Sequence, residues 1–507
     1  MSSTNQTIAV IGGGITGLAA AYRLALEGRQ VRLFEASPRL GGSVCSERAP
    51  EGWLIETGPN TVLAKTRELD ALLSRIGLAP RRLAPSPQAK KRFLVRNGQL
   101  MPLPMSPFSA ISTNLFSFDL KWRIVREYFT ARPRQRPADL PLGQLAHEHY
   151  GNEFVDYALN PMCAGIYAGS PEKLSARYAM PFIWEAERDY GSIVRGQLAQ
   201  ARARRAAGGP KKSTLLSFPN GLRELPDVLA AQLPRSAIET DARVESIARV
   251  RAPASDEPRW AVRWTRETAA AEKPENLKAE GLKQTLGTQS TGSIQAFRSL
   301  SRIVETEIFS KVLLALPAHA LARLCVVPQP MAAGGAEGFY TPLEQLAGIE
   351  SPPVASLYLG YKREQIAHKL DGFGALVPEV EKLPFLGVLF SSSLYPSRTP
   401  PGHVAITVMI GGTRQPGLAS LPEQQLVDLV SPALEKLLGA RGAPVFCKLT
   451  AHEHAIPQYN LGHEKFLALM DKFEREHPGI VIAGNARDGI AAPACLASGE
   501  TRAESLL

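Results

Sequence analysis

The chain reads as an α/β protein. A doubly wound, Rossmann-type domain that binds a dinucleotide is joined to a second domain built on a mixed or antiparallel sheet. Two observations predict this. Residues 7–35, TIAVIGGGITGLAAAYRLALEGRQVRLFE, run strand, glycine turn, helix, strand and terminal acid in that order. Strand-like apolar runs then recur at residues 354–361, 385–391 and 404–410.

Ile8, Ala9, Val10 and Ile11 make a run suited to a strand buried on both faces. Gly12, Gly14 and Gly17 follow in the G-x-G-x-x-G spacing. Gly12 permits the tight turn, Gly14 lets a pyrophosphate approach the backbone, and Gly17 lets the helix pack close to the strand. The helix carries Leu18, Tyr22, Leu24 and Leu26 and stops at Gly28. Val31, Leu33 and Phe34 form the second strand. Glu35 ends it, at about the 20-residue distance where a carboxylate binds a ribose hydroxyl. A bare glycine-rich turn in an ordinary α/β unit would not require the whole series. The acid suits an adenosine with a free 2′-hydroxyl, hence FAD or NAD rather than NADP.

At 507 residues the chain holds two or three domains, and its 44% hydrophobic content is that of a globular protein. No apolar run reaches the ~18 residues that span a bilayer. The opening MSSTNQT has neither the basic region nor the apolar core of a secretory signal. Cys45, Cys163, Cys325, Cys447 and Cys495 are scattered and never form C-x-x-C, which suits a reducing cytoplasm and argues against a zinc site or disulfide framework. The net charge of +10 would attract an acidic small molecule or anionic lipid. No nucleic-acid module is recognisable, so no nucleic-acid partner is expected.

Past Glu35, Arg39 with Gly41 and Gly42 offers a cation and close backbone approach to a phosphate. Residues 55–60, IETGPN, form a further turn that includes Gly58, Pro59 and Asn60. Leu69, Leu72, Leu73 and Ile76 share a helical face that Gly77 ends. Residues 100–130 are rich in Met, Pro, Leu and Phe. There Trp122, Tyr128 and Phe129 interleave with Lys121, Arg123 and Arg126, and Arg132, Arg134 and Arg136 follow. This suits an interfacial surface, or equally a helical core whose arginines solvate it. Residues 199–212 read as a basic loop, and Leu222, Leu225, Val228, Leu229 and Leu233 as an amphipathic helix. Residues 238–250 read as one strand returning to the nucleotide domain, and 260–265 as another. Residues 266–300 are polar and nearly free of aromatics, an insertion in a hairpin without an ordered core. Residues 311–316 make an apolar strand ended by Pro317. Residues 479–484 make the last buried strand, before a turn at 484–489 and a helix opened by Gly489 and Ile490.

These motifs together resemble the flavin amine oxidase superfamily. Within it they are most similar to the oxygen-dependent protoporphyrinogen/coproporphyrinogen oxidases. The resemblance rests on residues 12–17, Glu35, Arg39-x-Gly41-Gly42 and 56–60. It extends to Lys91-Arg92-Phe93, CAGIYAG at 163–169, PEKLS at 171–175, SFPNGL at 217–222, SSSLY at 391–395 and CLASG at 495–499. It spans nearly the whole chain. It implies an FAD-binding domain from residues 1–85, 213–255 and 446–507. The substrate domain is then formed by 86–99 and 311–445, the helical, membrane-docking subdomain by 100–212, and the hairpin by 256–310. It implies one non-covalent FAD, held by these glycines, Glu35, Arg39, Gly58, Pro59, Asn60 and the backbone of Val244. The 484–489 turn, with Gly484, Gly489 and Ile490, would lie over the flavin. The family usually carries Tyr and a glycine pair there, whereas Ala486, Arg487 and Asp488 stand here.

By the same resemblance Arg92 would meet a substrate propionate, Gly169 would leave room for a ring, and Leu357, Leu376 and Tyr395 would form apolar and stacking walls. Without it Arg92 would be a surface cation and the other four would be core residues. The implied activity is oxidation of a porphyrinogen to the porphyrin in haem synthesis, with molecular oxygen as acceptor. The enzyme would be cytoplasmic, peripheral on the inner face of the cell membrane, and compatible with a homodimer. No second dinucleotide fingerprint is present, because Pro416 and Gly417 break any helix after Gly411-Gly412. His147-x-His149 and His452-x-His454 lack the spacing of a metal site. With no acid–base pair evident, the cofactor carries the chemistry. The competing readings are an amine or carotenoid oxidase of the same superfamily, and an inactive flavin-binding scaffold.

Overall fold

Five parallel strands form the first sheet, in the spatial order Ile480–Ile482, Lys311–Leu314, Ile8–Ile11, Val31–Phe34 and Ile238–Glu239. The computed structural model describes residues 7–64, 66–104, 109, 112–134, 136, 138–206, 214–252, 255–269, 300–327 and 340–507. The central strand is buried throughout, as a parallel sheet covered on both faces requires. Helix Ile15–Leu26 packs against the C-terminal helix Ala492–Glu504. Their approach is close enough that a Cβ at Gly499 would lie 2.2 Å from the Thr16 carbonyl oxygen.

The strand expected over 238–250 is two strands in two sheets. Ile238–Glu239 continues the first sheet, and Arg243–Ala252 joins a four-stranded sheet with Ser255–Ala269, Leu300–Phe309 and Cys325–Val327. The chain breaks where it wraps the end of Val31–Phe34. Asp241, at φ 55°, donates to the Ser37 carbonyl, and Ala242 N–H donates to the Glu35 carbonyl. Ser255–Ala269 and Leu300–Phe309 pair antiparallel out to Ala269 and Leu300, as two arms of a hairpin. The rest of the expected insertion, 270–299, lies outside the described residues.

The third sheet has seven strands: Phe446–His452, Val354–Lys362, His403–Gly411, Gly387–Leu389, Gly372–Leu376, Lys91–Arg96 and Gln99–Pro102. It is mixed, with Gly372–Leu376 parallel to Lys91–Arg96 and the other neighbours antiparallel. Helix Glu423–Leu438 covers one face through Leu426, Val430 and Leu434.

Helices Phe118–Thr130, Leu142–Tyr150, Asn160–Tyr167, Pro181–Tyr190 and Ile193–Ala206 lie between the first two strands of that sheet in sequence and its remaining five. The basic loop expected at 199–212 is instead helical as far as Ala206, since its Ala, Arg and Gln residues favour helix. Residues 207–213 lie outside the described residues. Glu127 accepts from Ser192 Oγ at 2.8 Å and Ile193 N–H at 2.7 Å, tying the first of these helices to the last. Arg414 is held between the helices and the sheet, donating to the Val377 carbonyl at 2.7 Å and to Asn160 Oδ1 at 2.5 Å.

Candidate active site

The glycine turn has the geometry that its spacing predicts. Gly12 adopts φ 107°, and a Cβ there would sit 2.4 Å from the Ala315 carbonyl oxygen. A Cβ at Gly17 would meet the Gly12 carbonyl at 1.9 Å, whereas one at Gly14 would meet nothing within 4 Å. Two glycines therefore serve packing, and the third leaves open backbone. Glu35 is tethered to this turn, because its Oε2 accepts from Gly13 N–H at 2.7 Å and its Oε1 from Ser37 N–H at 2.8 Å. Gly41 N–H donates to the Gly13 carbonyl at 2.8 Å, which brings the second glycine pair onto the first. Gly41 and Gly42 both have positive φ, and Arg39 clamps them by donating to the Gly42 carbonyl at 2.8 Å.

Residues 55–60 meet the segment before strand His403–Gly411 at a buried ion pair, which sequence reasoning missed. Arg398, only 4% exposed, lies 2.8 Å from Glu56 Oε1 and also donates to Ser217 Oγ. Glu56 further accepts from Ser46 Oγ at 2.6 Å and from Leu222 N–H at 3.0 Å. Burial pushes the Glu56 carboxyl above its ordinary value, and these donors oppose that shift. Gly58 is needed next to it, since a Cβ would strike the Ser43 carbonyl oxygen at 1.9 Å. Asn60 Nδ2 donates to the Gly58 carbonyl at 3.4 Å across Pro59. His452 Nε2 donates to the Thr57 carbonyl at 2.6 Å, so this histidine holds a loop. No motif links Glu56 to Arg398; only the fold brings them together.

The last turn leaves the strand Ile480–Ile482 at Gly484, φ 117°, and ends at Gly489, φ 115°. Gly484 N–H donates to Ser498 Oγ, which donates to Asp488 at 2.6 Å. Arg487 turns away and pairs with Asp471 and Glu474. Ala486 is buried. Ile490 packs against the helical core, and helix Ala492–Glu504 begins two residues later. Val244 is the second residue of the strand Arg243–Ala252, two residues beyond the Ala242 N–H that donates to the Glu35 carbonyl.

Of the five expected substrate residues, Arg92 and Tyr395 both lie against Phe373 and Leu376 lies beside Gly165, but Tyr395 is a buried core residue and not an open stacking wall. Arg92 is exposed at the start of Lys91–Arg96, with its guanidinium 5.4 Å from the Phe373 ring. Phe373 packs against Leu394 and Tyr395. Tyr395 is buried under the Arg398 guanidinium at 4.3 Å, and burial pushes its phenol up to about 12. Leu376 pairs with Leu94 and projects toward the exposed Gly165, where a Cβ would lie 2.8 Å from Leu376 Cδ2.

The other two need correction. Leu357 points to the opposite face, into the core that includes Val408 and the helix Glu423–Leu438. Strand alternation puts its neighbour Ser356, paired with Met409, on the near side. Gly169 leaves no room for a ring, because the Gln458 side-chain oxygen would be 2.2 Å from its Cβ. Gly165 is exposed, but its missing Cβ makes way for the Leu376 side chain. Gly412 is likewise a packing glycine, its missing Cβ making way for the Ala168 carbonyl.

The open backbone at Gly14, the tethered Glu35 and the apposed glycine pairs fit a flavin dinucleotide. The model of the flavin containing amine oxidoreductases matches residues 15–270 and 304–507. The chain is 29% identical over 520 residues to protoporphyrinogen oxidase 2 of Arabidopsis thaliana, covering 98% of this chain and 92% of that protein. It is 29% identical over 523 residues to the protoporphyrinogen oxidase of Homo sapiens, covering 99% and 98% respectively. The crystal structure of a proposed protoporphyrinogen oxidase from Exiguobacterium sp. 255-15 superposes with a TM-score of 0.74 at 24% identity, covering 100% of this chain and 99% of that one. The chain belongs to the flavin containing amine oxidoreductase family, with FAD as its cofactor.

Proposed function

We propose that this flavoprotein oxidises a porphyrinogen to the porphyrin in haem biosynthesis, with protoporphyrinogen as the favoured substrate and molecular oxygen as electron acceptor. The observation that carries the proposal is the exposed Arg92 beside Phe373, on a strand next to the one that carries Leu376, in a chain alike over its whole length to protoporphyrinogen oxidases. A porphyrinogen is a large apolar ring with carboxylates only at its rim. Arg92 offers a planar fork for one rim carboxylate, while Leu376, Gly165 and the exposed Ile166 offer apolar surface. The strand holds Arg92 in place, its carbonyl accepting from Leu103 N–H at 2.7 Å.

FAD, when bound, supplies the hydride acceptor. The chain's own residues orient the ring and keep water from it. Six electrons and six hydrogens leave the macrocycle in three steps, and three oxygen molecules take them up as hydrogen peroxide. The net positive charge would also suit the additional propionates of coproporphyrinogen, so both substrates belong in the test. Purified holoenzyme in air should generate porphyrin fluorescence from protoporphyrinogen, with one peroxide per electron pair. Fluorescence no faster than autoxidation with either porphyrinogen would refute the proposal.

The same reading places the protein in the cytoplasm, peripheral on the inner face of the cell membrane. Phe118, Trp122 and Phe129 are 82%, 57% and 74% exposed. With the exposed Val125 they recur at helical spacing along one face of Phe118–Thr130, beside the exposed Arg123 and Arg126. Among the described residues no helix is long and apolar enough to cross a membrane. Contact would therefore be interfacial.

A further inference from the structure

The 484–489 turn is closed by a phenol from another segment. Tyr459 is 4% exposed. Its hydroxyl accepts from Gly489 N–H at 2.9 Å and donates to the Asn485 carbonyl at 2.5 Å. One oxygen thus links the two ends of the turn. The glycines at those ends hold positive φ, and within the turn Arg487 and Asp488 N–H both donate to the Gly484 carbonyl, at 3.1 and 3.0 Å.

The segment that carries Tyr459 is itself held independently of the turn. Ser175 N–H donates to the Tyr459 carbonyl at 2.8 Å, and Leu461 N–H to the Lys173 carbonyl at 2.9 Å. Gln458 donates to the Tyr167 carbonyl at 2.7 Å and fills the space beside Gly169. The Tyr459 ring stacks on His463 with centroids 4.2 Å apart and planes inclined by 22°. Burial raises the Tyr459 phenol well above its ordinary range and pushes the His463 imidazole down to about 4. The stack is therefore uncharged at neutral pH, and the phenol keeps both its donor and its acceptor.

We propose that Tyr459 is a positioning residue for the flavin: its hydroxyl, supplied from outside the turn, sets the backbone of 484–490 against which FAD binds. This rests on the assignment of that turn to the flavin and not on the identity of the substrate. It also accounts for a turn that holds its shape around Ala486, Arg487 and Asp488.

The test is Tyr459→Phe in the holoenzyme, which deletes both hydrogen bonds and keeps the stacked ring. Loss of two such bonds should speed FAD release about 5- to 100-fold. It should also alter the flavin absorbance bands and quicken hydrogen exchange in peptides spanning 484–490. Release rate and spectrum equal to wild type would overturn the proposal. Faster exchange with unchanged FAD release would overturn it too, by showing that the turn is stapled but does not face the flavin. Should the variant fail to fold, exchange in the wild-type holoenzyme decides. Protection of the Gly489 amide is expected, and exchange at the unprotected rate would overturn the staple. Neither outcome depends on whether porphyrinogen is the substrate.

Discussion

Arg92 carries the substrate proposal at the level of one residue. It is exposed, lies against Phe373 and has no carboxylate among its contacts in the described residues. Its neighbour Lys91, by contrast, pairs with Asp371 at 2.5 Å. In a KRF run the first cation is thus spent on the fold and the second lies open beside an aromatic ring. Arg92→Ala should raise KM for the porphyrinogen about 10- to 150-fold, since a charge-assisted hydrogen bond contributes about 1.5–3 kcal/mol. FAD content should not change. Arg92→Lys should recover only part of the loss, because a point charge lacks the fork. Steady-state kinetics on both porphyrinogens check this, and an unchanged KM for both would remove Arg92 from the site.

At the level of elements, the helices are joined by charges and expose apolar side chains. His149 lies between two buried carboxylates, with Nδ1 3.4 Å from Glu127 and Nε2 3.7 Å from Glu187. Arg136 pairs with Glu187 at 3.0 Å. Burial lowers the His149 pKa, but Glu127 and Glu187 outweigh it and hold the imidazole above its ordinary value. A group raised on folding stabilises fully below its unfolded pKa, about 6.5. That contribution is lost as pH rises through the higher folded value. Denaturant midpoints of the holoenzyme should therefore fall on the alkaline side of neutrality, and His149→Gln should flatten that part of the profile. A wild-type profile that stays flat above pH ~6.5 would contradict the cluster's role. The exposed face of Phe118–Thr130 gives a separate expectation. The protein should sediment with anionic liposomes at low salt and less at high salt, as a partly electrostatic contact requires. Trp122→Ser with Phe129→Ser should release it at both. Equal recovery in the supernatant with and without liposomes would discard docking.

For the whole molecule, the segments proposed to hold FAD lie far apart in the chain. The glycine turn, the 41–42 pair, the loop at 58–60 and the 484–489 turn converge around the carboxyl ends of one parallel sheet. None of these contacts needs a covalent link. The protein should therefore purify yellow, with one FAD per chain that acid precipitation frees into the supernatant. Flavin left in the pellet would show covalent attachment.

What the sequence determined by itself was local and periodic. Strand Ile8–Ile11, helix Ile15–Leu26, strand Val31–Phe34 and the packing of Gly12 and Gly17 were legible because one βαβ unit is specified within some thirty residues. The strands Val354–Lys362 and His403–Gly411 were legible because apolar runs of that length suit a buried sheet. What only the tertiary structure decided was which face and which neighbour. Leu357 and Ser356 differ by one position, and the helix Glu423–Leu438 claims the Leu357 face. Whether a glycine makes room for a ligand or for Gln458 cannot be read from its own residue type, and at Gly169 it is Gln458. Glu56 with Arg398, and Tyr459 with Gly489, are joined across hundreds or tens of residues. Such partners carry no spacing signature. Burial selects them, because a charge or hydroxyl removed from water must find its counterpart wherever the packed chain supplies one.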